Sequence, residues 1–157
     1  TWYSSRRTSR TRNHKMIRSL CCLMVMTSLF QTQTSHPSPK DSRFLSALRA
    51  VESGGNDDAV GDGGKAIGPY QIWKIYWKDA LEFDPTIGGK YEDCFDRQYS
   101  ERVVVAYLNR YATEKRLGRM PRYEDMARIH NGGPNGHKKS ATNKYWNKVK
   151  RELDKNV

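Results

Sequence analysis

The chain has 157 residues, enough for one globular domain with an extension but too few for two full domains. Its formal net charge of +11 is uneven, because residues 1–40 hold seven of the 28 Lys and Arg residues and no Asp or Glu. Residues 41–157 therefore carry 21 basic and 17 acidic side chains, a net charge of +4. This mild basicity excludes a dedicated nucleic-acid surface and suits an anionic polymer as partner.

The first 40 residues have the pattern of a targeting segment followed by a linker. Arg18 precedes the uncharged stretch LCCLMVMTSLF, which is too short to span a bilayer and is typical of a secretory signal. Met16 is a natural initiator for such a signal; the alternative is a basic arm with an apolar patch. Prolines in SHPSPKD (35–41) break regular structure, so we divide the chain into a segment of 1–40 and a domain of 41–157. This organisation predicts a secreted, extracellular protein without a membrane anchor.

Predicted helices account for most of the domain. The first covers about residues 41–54, with an apolar stripe formed by Phe44, Leu45, Leu48 and Val51. Residues 55–68 have turn composition and form at most a short hairpin. Further helices are predicted from Pro69 (PYQIWKIYWKDAL) and over residues 94–116, 121–130 and 141–153. The expected fold is mainly α: a compact bundle of about five helices with a short irregular loop or hairpin after the first.

Cysteine use limits covalent cross-links in this domain. Cys21 and Cys22 lie in the predicted signal, so only Cys94 remains and no disulfide can form within the domain. Cys94 has no second Cys or His at metal-ligand spacing, and we expect it to be a small buried apolar residue.

Residues 52–72, ESGGNDDAVGDGGKAIGPYQI, form a glycine-rich stretch that could cradle a phosphate, bind a metal or border a cleft. The phosphate interpretation fails, because Ala66 replaces the Ser or Thr that follows Gly-Lys in a P-loop and a helix, not a strand, precedes the loop. The aspartates could suggest calcium, but they lack the alternate-residue spacing and terminal glutamate of an EF-hand loop.

Glu52 is the candidate catalytic residue of this stretch. Phe44, Leu48 and Glu52 are four residues apart, so the apolar stripe ends in a carboxyl group at the C-terminus of its helix. Partial burial and the helix dipole both favour the protonated acid there. Cleavage of a glycosidic bond needs such an acid, because the leaving oxygen must receive a proton. From spacing alone, a solvated glutamate at a helix end remains the alternative.

The same stretch resembles the signature of the lysozyme-like superfamily: Glu-Ser-Gly, then Ala-Val, then Gly-x-x-Gln-Ile. Soluble lytic transglycosylases have almost this spacing. The invertebrate-type (destabilase) lysozymes resemble the chain further along, in GPYQIWKIYWKDA, YLNRYA and ARIHNGGPNG…YWNKV. The chain is thus identified as a member or close relative of the invertebrate-type lysozymes, which implies an α+β lysozyme-like fold.

The resemblance also implies site residues. Glu52 matches the family's proton donor, and Asp62 is the nearest match to its second carboxylate. The implied substrate-binding residues are Tyr70, Gln71, Trp73, Lys74, Ile75, Tyr76, Trp77, Lys78, Asp79, Tyr107, His130, Asn131 and Gly132. By helical spacing alone, Trp73, Tyr76, Trp77, Tyr145 and Trp146 are core residues, of which we expect about two at the cleft.

The chain departs from the family in two respects. The family is rich in cysteine, whereas this domain has a single one, so core packing must hold the fold. The interval from Glu52 to Gln71 is also shorter than usual, so Asp58 is an alternative to Asp62, and neither carboxylate is required if Glu52 acts alone as in a transglycosylase. A separation of about 5 Å between two carboxyl groups would predict retention of configuration, and about 6.5–9.5 Å inversion.

We therefore predict a secreted, bacteriolytic lysozyme that cleaves β-1,4 bonds in peptidoglycan, with chitin-type oligomers as a further substrate. No metal or organic cofactor and no nucleic acid is implied, and the oligomeric state is left open. The alternatives are a carbohydrate-binding relative without catalysis, the isopeptidase activity ascribed to some destabilases, and nucleic-acid binding through residues 1–18 if that arm stays in the mature protein. For the isopeptidase activity, no Ser/His/Asp or Cys/His grouping is legible. The basic tail Lys144–Lys155 is expected to be a solvated helix face.

Overall fold

A computed structural model describes residues 36–155. The predicted signal, with Met16, Cys21 and Cys22, lies outside the described residues. Six helices dominate the described part: α1 (Ser42–Ser53), α2 (Lys74–Phe83), α3 (Arg97–Tyr111), α4 (Glu114–Leu117), α5 (Tyr123–Gly132) and α6 (Asn143–Lys155). Within residues 36–155, no helix is long and apolar enough to cross a membrane.

Helix α1 begins and ends where capping residues predict. The Asp41 carboxylate accepts a hydrogen bond from the N–H of Arg43, which satisfies one of the free donors of the first turn. Gly54 ends the helix with a left-handed backbone (φ 64°), a conformation that costs glycine little. The predicted apolar stripe faces the core, with Phe44, Leu45 and Leu48 buried.

The glycine-rich stretch after α1 forms a small three-stranded antiparallel sheet rather than a simple loop. Its strands are β1 (Val60–Gly61), β2 (Ala66–Ile67) and β3 (Ile72–Trp73), in the order β1-β2-β3. Val60 pairs with Ile67, and Ala66 pairs with Trp73. The prediction that a helix begins at Pro69 is therefore wrong, because Ile72 and Trp73 continue the sheet and α2 begins only at Lys74.

A tight turn between β2 and β3 explains this late start of the helix. Gly68 has φ 76°, and a side chain there would collide with the backbone carbonyl of Cys94. Gln71 also has a positive φ of 46°, and its side-chain amide donates hydrogen bonds to the carbonyls of Ala59 and Gly68. Tertiary contacts of residues distant in sequence thus hold these residues in a turn.

The long helix predicted over residues 94–116 is shorter and divided in two. Residues Tyr91–Phe95 form a 3-10 turn, and the Asp96 side chain then caps α3 by accepting from the N–H of Tyr99. Helix α3 ends at Tyr111. Thr113 caps the single turn of α4 by accepting from the N–H of Arg116.

Helices α5 and α6 complete the bundle. Helix α5 begins at Tyr123, two residues after Pro121, because Asp125 accepts from the N–H of Arg122 and stabilises the first turn there. Helix α6 packs against α1 and α5. Most of its basic side chains are exposed, as predicted for the tail, while Val149 is buried.

One hydrophobic core lies between the helices and the sheet. Its largest fully buried side chains include Phe44, Leu48, Tyr70, Ile72, Leu108, Met126 and Ile129. Cys94 is also fully buried and is a free thiol, as predicted. Burial raises the pKa of this thiol to about 12, so the sulfur packs as a small apolar group.

Candidate active site

A groove of about 410 Å³ opens where the sheet meets α1, α2 and α5. It contains both residues proposed as catalytic, Glu52 and Asp62. The other lining residues are Gln71, Ile72, Trp73, Ile75, Tyr76, Asp79, Tyr107, His130, Asn131, Gly133 and Pro134. Carboxyl groups, amides and aromatic rings are thus concentrated on one concave surface, which is typical of a site for a polar ligand with apolar faces.

Glu52 lies in the last turn of α1, with its side chain only 16% exposed. The Tyr145 hydroxyl of α6 donates a hydrogen bond of 2.7 Å to Oε1 of this carboxyl group. The same oxygen lies 3.4 Å from Nε2 of His130, which is buried at the end of α5. Three helices therefore converge on one acidic group.

Buried aromatic side chains from α2 and α3 pack beside His130. The Tyr76 hydroxyl of α2 lies 3.0 Å from Nδ1 of His130. The Tyr76 ring stacks on Tyr107, with ring centroids 3.5 Å apart and an interplanar angle of 14°. Burial, followed by the neighbouring Tyr107 and Glu52, raises the pKa of Tyr76 well above its usual value. The phenol thus keeps its proton and is available as a hydrogen-bond donor.

Asp62 lines the same groove and lies in the turn between β1 and β2. Its backbone has a positive φ of 48°, which Asp tolerates better than most residues. The indole N–H of Trp73 donates a hydrogen bond of 3.1 Å to its Oδ2. Asp58, the alternative carboxylate, is exposed and does not line the groove.

The structure brings together eight of the implied binding residues at this groove: Gln71, Trp73, Ile75, Tyr76, Asp79, Tyr107, His130 and Asn131. Trp73 and Ile75 are the exposed apolar side chains among them. Asp79 accepts a hydrogen bond from the Tyr111 hydroxyl, which holds its carboxylate at the wall. Two of the aromatics expected at the cleft, Trp73 and Tyr76, do line it.

Five implied binding residues do not line the groove. Tyr70 is fully buried, and its hydroxyl donates to Glu101 instead. Gly132 packs so closely on Thr142 that a side chain there would collide with it, and the neighbouring Gly133 lines the groove instead. The remaining three, which α2 turns to another face, are Lys74, Trp77 and Lys78.

Helical geometry explains why the contiguous stretch from Trp73 to Asp79 divides. Ile75, Tyr76 and Asp79 are spaced i, i+1, i+4 and face the groove, whereas Lys74, Trp77 and Lys78 share the adjoining face. The Trp77 indole donates to the Tyr99 hydroxyl on that side. A continuous run of seven residues that begins in a strand and enters a helix cannot present every side chain to one surface.

Sequence reasoning missed three residues at the site. Helical spacing predicts Tyr145 as a core residue, and its ring does pack against the core, but spacing does not indicate that its hydroxyl contacts Glu52. Gly133 and Pro134 line the groove immediately after the residues that were named. All three residues lie in the motif ARIHNGGPNG…YWNKV, so the family resemblance, unlike helical periodicity, could have identified them as site residues.

Within residues 36–155, no group of three or more His, Cys, Asp or Glu side chains has a geometry that could hold a metal ion.

Comparison with known proteins shows which family the chain resembles. Residues 41–152 match the sequence profile of the Destabilase family. The lysozyme of Meretrix lusoria is 35% identical over 112 residues, which cover 69% of this chain and 87% of that protein. Invertebrate-type lysozyme 6 of Caenorhabditis elegans is 39% identical over 62% of this chain and 72% of that protein. Lysozyme 1 of Crassostrea virginica is 39% identical, and the chain spans only 43% of its length.

Solved structures agree with the sequence matches. The crystal structure of Tapes japonica lysozyme superposes with a TM-score of 0.61 at 34% identity, over 74% of this chain and 93% of that one. Inhibitor-bound lysozyme from Meretrix lusoria gives a TM-score of 0.60 at 31% identity, over 74% and 93%. Together, the helical domain and its acid-lined groove define a lysozyme-type glycosidase with an α+β lysozyme-like fold.

Because the family profile covers more than half of the chain, this protein belongs to the Destabilase family of invertebrate-type lysozymes. The predicted family, fold class and enzyme class are confirmed.

Proposed function

We propose that this protein hydrolyses β-1,4 bonds in peptidoglycan, with Glu52 as general acid and Asp62 as second carboxylate. One observation supports the proposal above all: a carboxyl group largely withdrawn from solvent at the end of α1 shares a groove with Asp62. Of the two aspartates considered as second carboxylate, Asp62 and Asp58, only Asp62 lines that groove. The relatives' names, as lysozymes, agree with this assignment.

The groove walls suit an amino-sugar polymer. Sugars present apolar faces and polar rims, so ligand sites for them combine aromatic surface with amide and carboxylate groups. Trp73 and Ile75 offer exposed apolar surface, while Gln71 and Asn131 offer amides nearby. Chitin-type oligomers share the N-acetylhexosamine backbone and are proposed as a secondary substrate.

In the proposed reaction, Glu52 protonates the glycosidic oxygen as the bond between that oxygen and the anomeric carbon breaks. Positive charge then develops on the sugar ring, and Asp62 stabilises this charge or attacks the anomeric carbon. If Asp62 attacks, a covalent glycosyl-enzyme forms, and water activated by Glu52 then displaces Asp62, so that the anomeric configuration is retained overall; if Asp62 instead activates a water molecule for direct attack, the configuration is inverted. If Glu52 acts without Asp62, the sugar's own hydroxyl closes an anhydro ring, as in a lytic transglycosylase.

The apolar stretch behind Arg18 supports a further proposal, that the protein is secreted and acts on bacterial walls outside the cell. The net charge of +4 over residues 41–157 favours approach to anionic wall polymers. N-terminal sequencing of protein recovered from culture medium checks this: a start after residue 30 is expected, and retention of the basic arm would contradict it.

The assignment of Glu52 is tested by clearing of bacterial wall suspensions. We expect Glu52→Gln to lower the rate roughly 10²- to 10⁴-fold, because the amide cannot donate the acid proton. Glu82→Gln is the matched control, since Glu82 is also a helix-borne glutamate but is exposed, pairs with Arg110 and does not line the groove. Equal activity of Glu52→Gln and wild type would show that Glu52 is not the general acid.

Asp62→Asn and Asp58→Asn form a second matched pair. We expect a large loss for Asp62→Asn only, because Asp62 lines the groove and Asp58, which is also exposed, lies outside it. Mass analysis of the fragments distinguishes the two mechanisms, because hydrolysis adds one water molecule for each bond cut, whereas transglycosylation yields anhydro ends. Full activity of Asp62→Asn with anhydro products would favour the transglycosylase reaction.

A further inference from the structure

The Glu52 carboxyl group is held unevenly: its two oxygens have different surroundings. Oε1 accepts the hydrogen bond of 2.7 Å from Tyr145 and lies 3.4 Å from Nε2 of His130. Oε2 receives no hydrogen bond from residues 36–155, and it is not sealed off from solvent. The protein therefore engages one oxygen and leaves the other to the groove.

Tyr145 is constrained to act as the donor in this hydrogen bond. Burial and the adjacent Glu52 carboxylate raise the pKa of Tyr145 well above its usual value, so the phenol keeps its proton. Its hydroxyl has Glu52 as its hydrogen-bond partner within the described part of the chain. A buried phenol proton without an acceptor would be costly, so it points at Oε1.

The second contact of Oε1 is with His130, and its character depends on which ring nitrogen of His130 carries the hydrogen. Tyr76 is buried, and its hydroxyl faces Nδ1 of His130 at 3.0 Å. If Tyr76 donates to Nδ1, the ring hydrogen of a neutral imidazole lies on Nε2, the nitrogen that faces Glu52. The N–H group of His130 then lies near Oε1, with Nε2 at 3.4 Å, while Tyr145 donates the hydrogen bond.

We propose that Tyr145 is the positioning residue of the acid: by holding Oε1 it confines the transferable proton of Glu52 to Oε2. In the reaction, that proton passes from Oε2 to the glycosidic oxygen, and the electron pair of the breaking bond goes to the same oxygen. The negative charge left on the carboxylate spreads to Oε1, where the Tyr145 hydroxyl stabilises it. Its hydrogen bond is thus stronger in the transition state than before it, because a charged acceptor binds a donor more tightly.

This inference rests on the proposed function, and Tyr145→Phe tests it by removing one oxygen atom while keeping the ring. On dye-labelled peptidoglycan we expect kcat to fall roughly 10- to 100-fold with KM essentially unchanged, because the lost hydrogen bond acts on the charge formed during reaction. In a Glu52→Gln background, the same substitution should cost no further activity, since no carboxylate remains to be stabilised.

Tyr123→Phe is the matched control. Its hydroxyl also donates to a carboxylate, that of Asp41, but at the start of α1 and away from the groove. We expect it to retain wild-type kcat, and urea unfolding of both variants reports any change in stability separately. Wild-type kcat for Tyr145→Phe, or a raised KM at unchanged kcat, would overturn the inference, as would a kcat loss that persists in the Glu52→Gln background. Substantial activity of Glu52→Gln alone would instead overturn the proposed function.

Discussion

At the scale of single residues, the environment of a side chain decides its chemistry more than its type does. Glu52 and Glu82 are both helix-borne glutamates, yet Glu52 is withdrawn into a groove and bonded to a phenol while the Glu82 side chain is 69% exposed. Asp62 and Asp58 are both exposed, but only Asp62 lines the groove and accepts a hydrogen bond from Trp73. A residue's neighbours across the fold, and not its sequence motif alone, therefore separate candidate catalysts from surface carboxylates.

Cys94 provides a prediction at this scale. Its sulfur is fully buried, and burial, with Asp93 and Glu92 nearby, raises its pKa to about 12. Because the thiolate is the reactive form, we expect Cys94 in the native protein to resist iodoacetamide and to react readily in denaturant. Mass analysis of the peptide that contains Cys94 measures this. Rapid labelling of the native protein would contradict the burial.

At the scale of elements, short polar contacts decide where each helix begins and therefore where its functional residue lies. Helix α5 carries His130 toward its end and begins at Tyr123 because Asp125 is fixed there. The Arg119 guanidinium binds both carboxylate oxygens at 2.6 and 2.9 Å, and the Arg122 N–H donates to one of them. A shift of one residue at this start would rotate His130 by about 100° around the helix axis.

Asp125, at the start of α5, provides a prediction about how the stability of the fold depends on pH. Its burial alone would raise its pKa, but the hydrogen bonds from Arg119 and Arg122 lower the pKa below its usual value. The carboxylate therefore stabilises the fold above the pKa of the unfolded state, and this contribution is lost as pH falls through the lower, folded pKa. Asp125→Asn should cost about 1–2 kcal/mol at neutral pH, a value kept low because Arg119 is half-exposed.

Urea unfolding of wild type and Asp125→Asn at a series of pH values measures this effect. We expect the two free energies of unfolding to converge in acid, where both side chains are uncharged. Glu114→Gln is the control, because Glu114 is an exposed acidic residue in the first turn of α4. A difference that persists unchanged at acid pH would rule out the carboxylate as its source.

At the scale of the whole molecule, the groove exists only when distant parts of the domain pack together. Glu52 on α1 and Tyr145 on α6 are separated by 93 residues, and His130 on α5 lies between them in sequence. With the single buried thiol Cys94, the described domain has no disulfide to hold these helices. Core packing must therefore maintain both the fold and the geometry of the acid.

Val149 tests this dependence. It is fully buried on α6, one turn beyond Tyr145. We expect Val149→Ala to lower the free energy of unfolding by about 1–3 kcal/mol through lost burial and a small cavity. Activity and far-UV circular dichroism should be lost at the same urea concentration, because the groove and the helices form one cooperative unit.

The exposed Lys148 lies beside Val149 and supplies the control, since Lys148→Ala should leave the unfolding midpoint within experimental scatter. Loss of activity well before loss of helical signal in Val149→Ala would show instead that α6 detaches from α1 locally.

Prediction from sequence succeeded where the determining forces are local. Phe44, Leu45 and Leu48 face the core as their spacing predicts, since helical periodicity places them on one side of α1. The break between α3 and α4 and the strand at Ile72–Trp73 were not predicted. In the first case a Thr113 cap interrupts a strongly helical composition, and in the second an aromatic-rich run pairs with β2 instead of starting a helix.

The sequence by itself determined the family, the helical character of the domain and an acid at the end of an apolar helix face. Each of these depends on residues close together in the chain or on a motif of fixed spacing. Only the tertiary structure decided that Tyr145 holds Glu52, that Asp62 rather than Asp58 shares its groove, and which residues of α2 face it. Those contacts join residues far apart in sequence, and the packing of helices and strands, which local propensity does not encode, determines which of them meet.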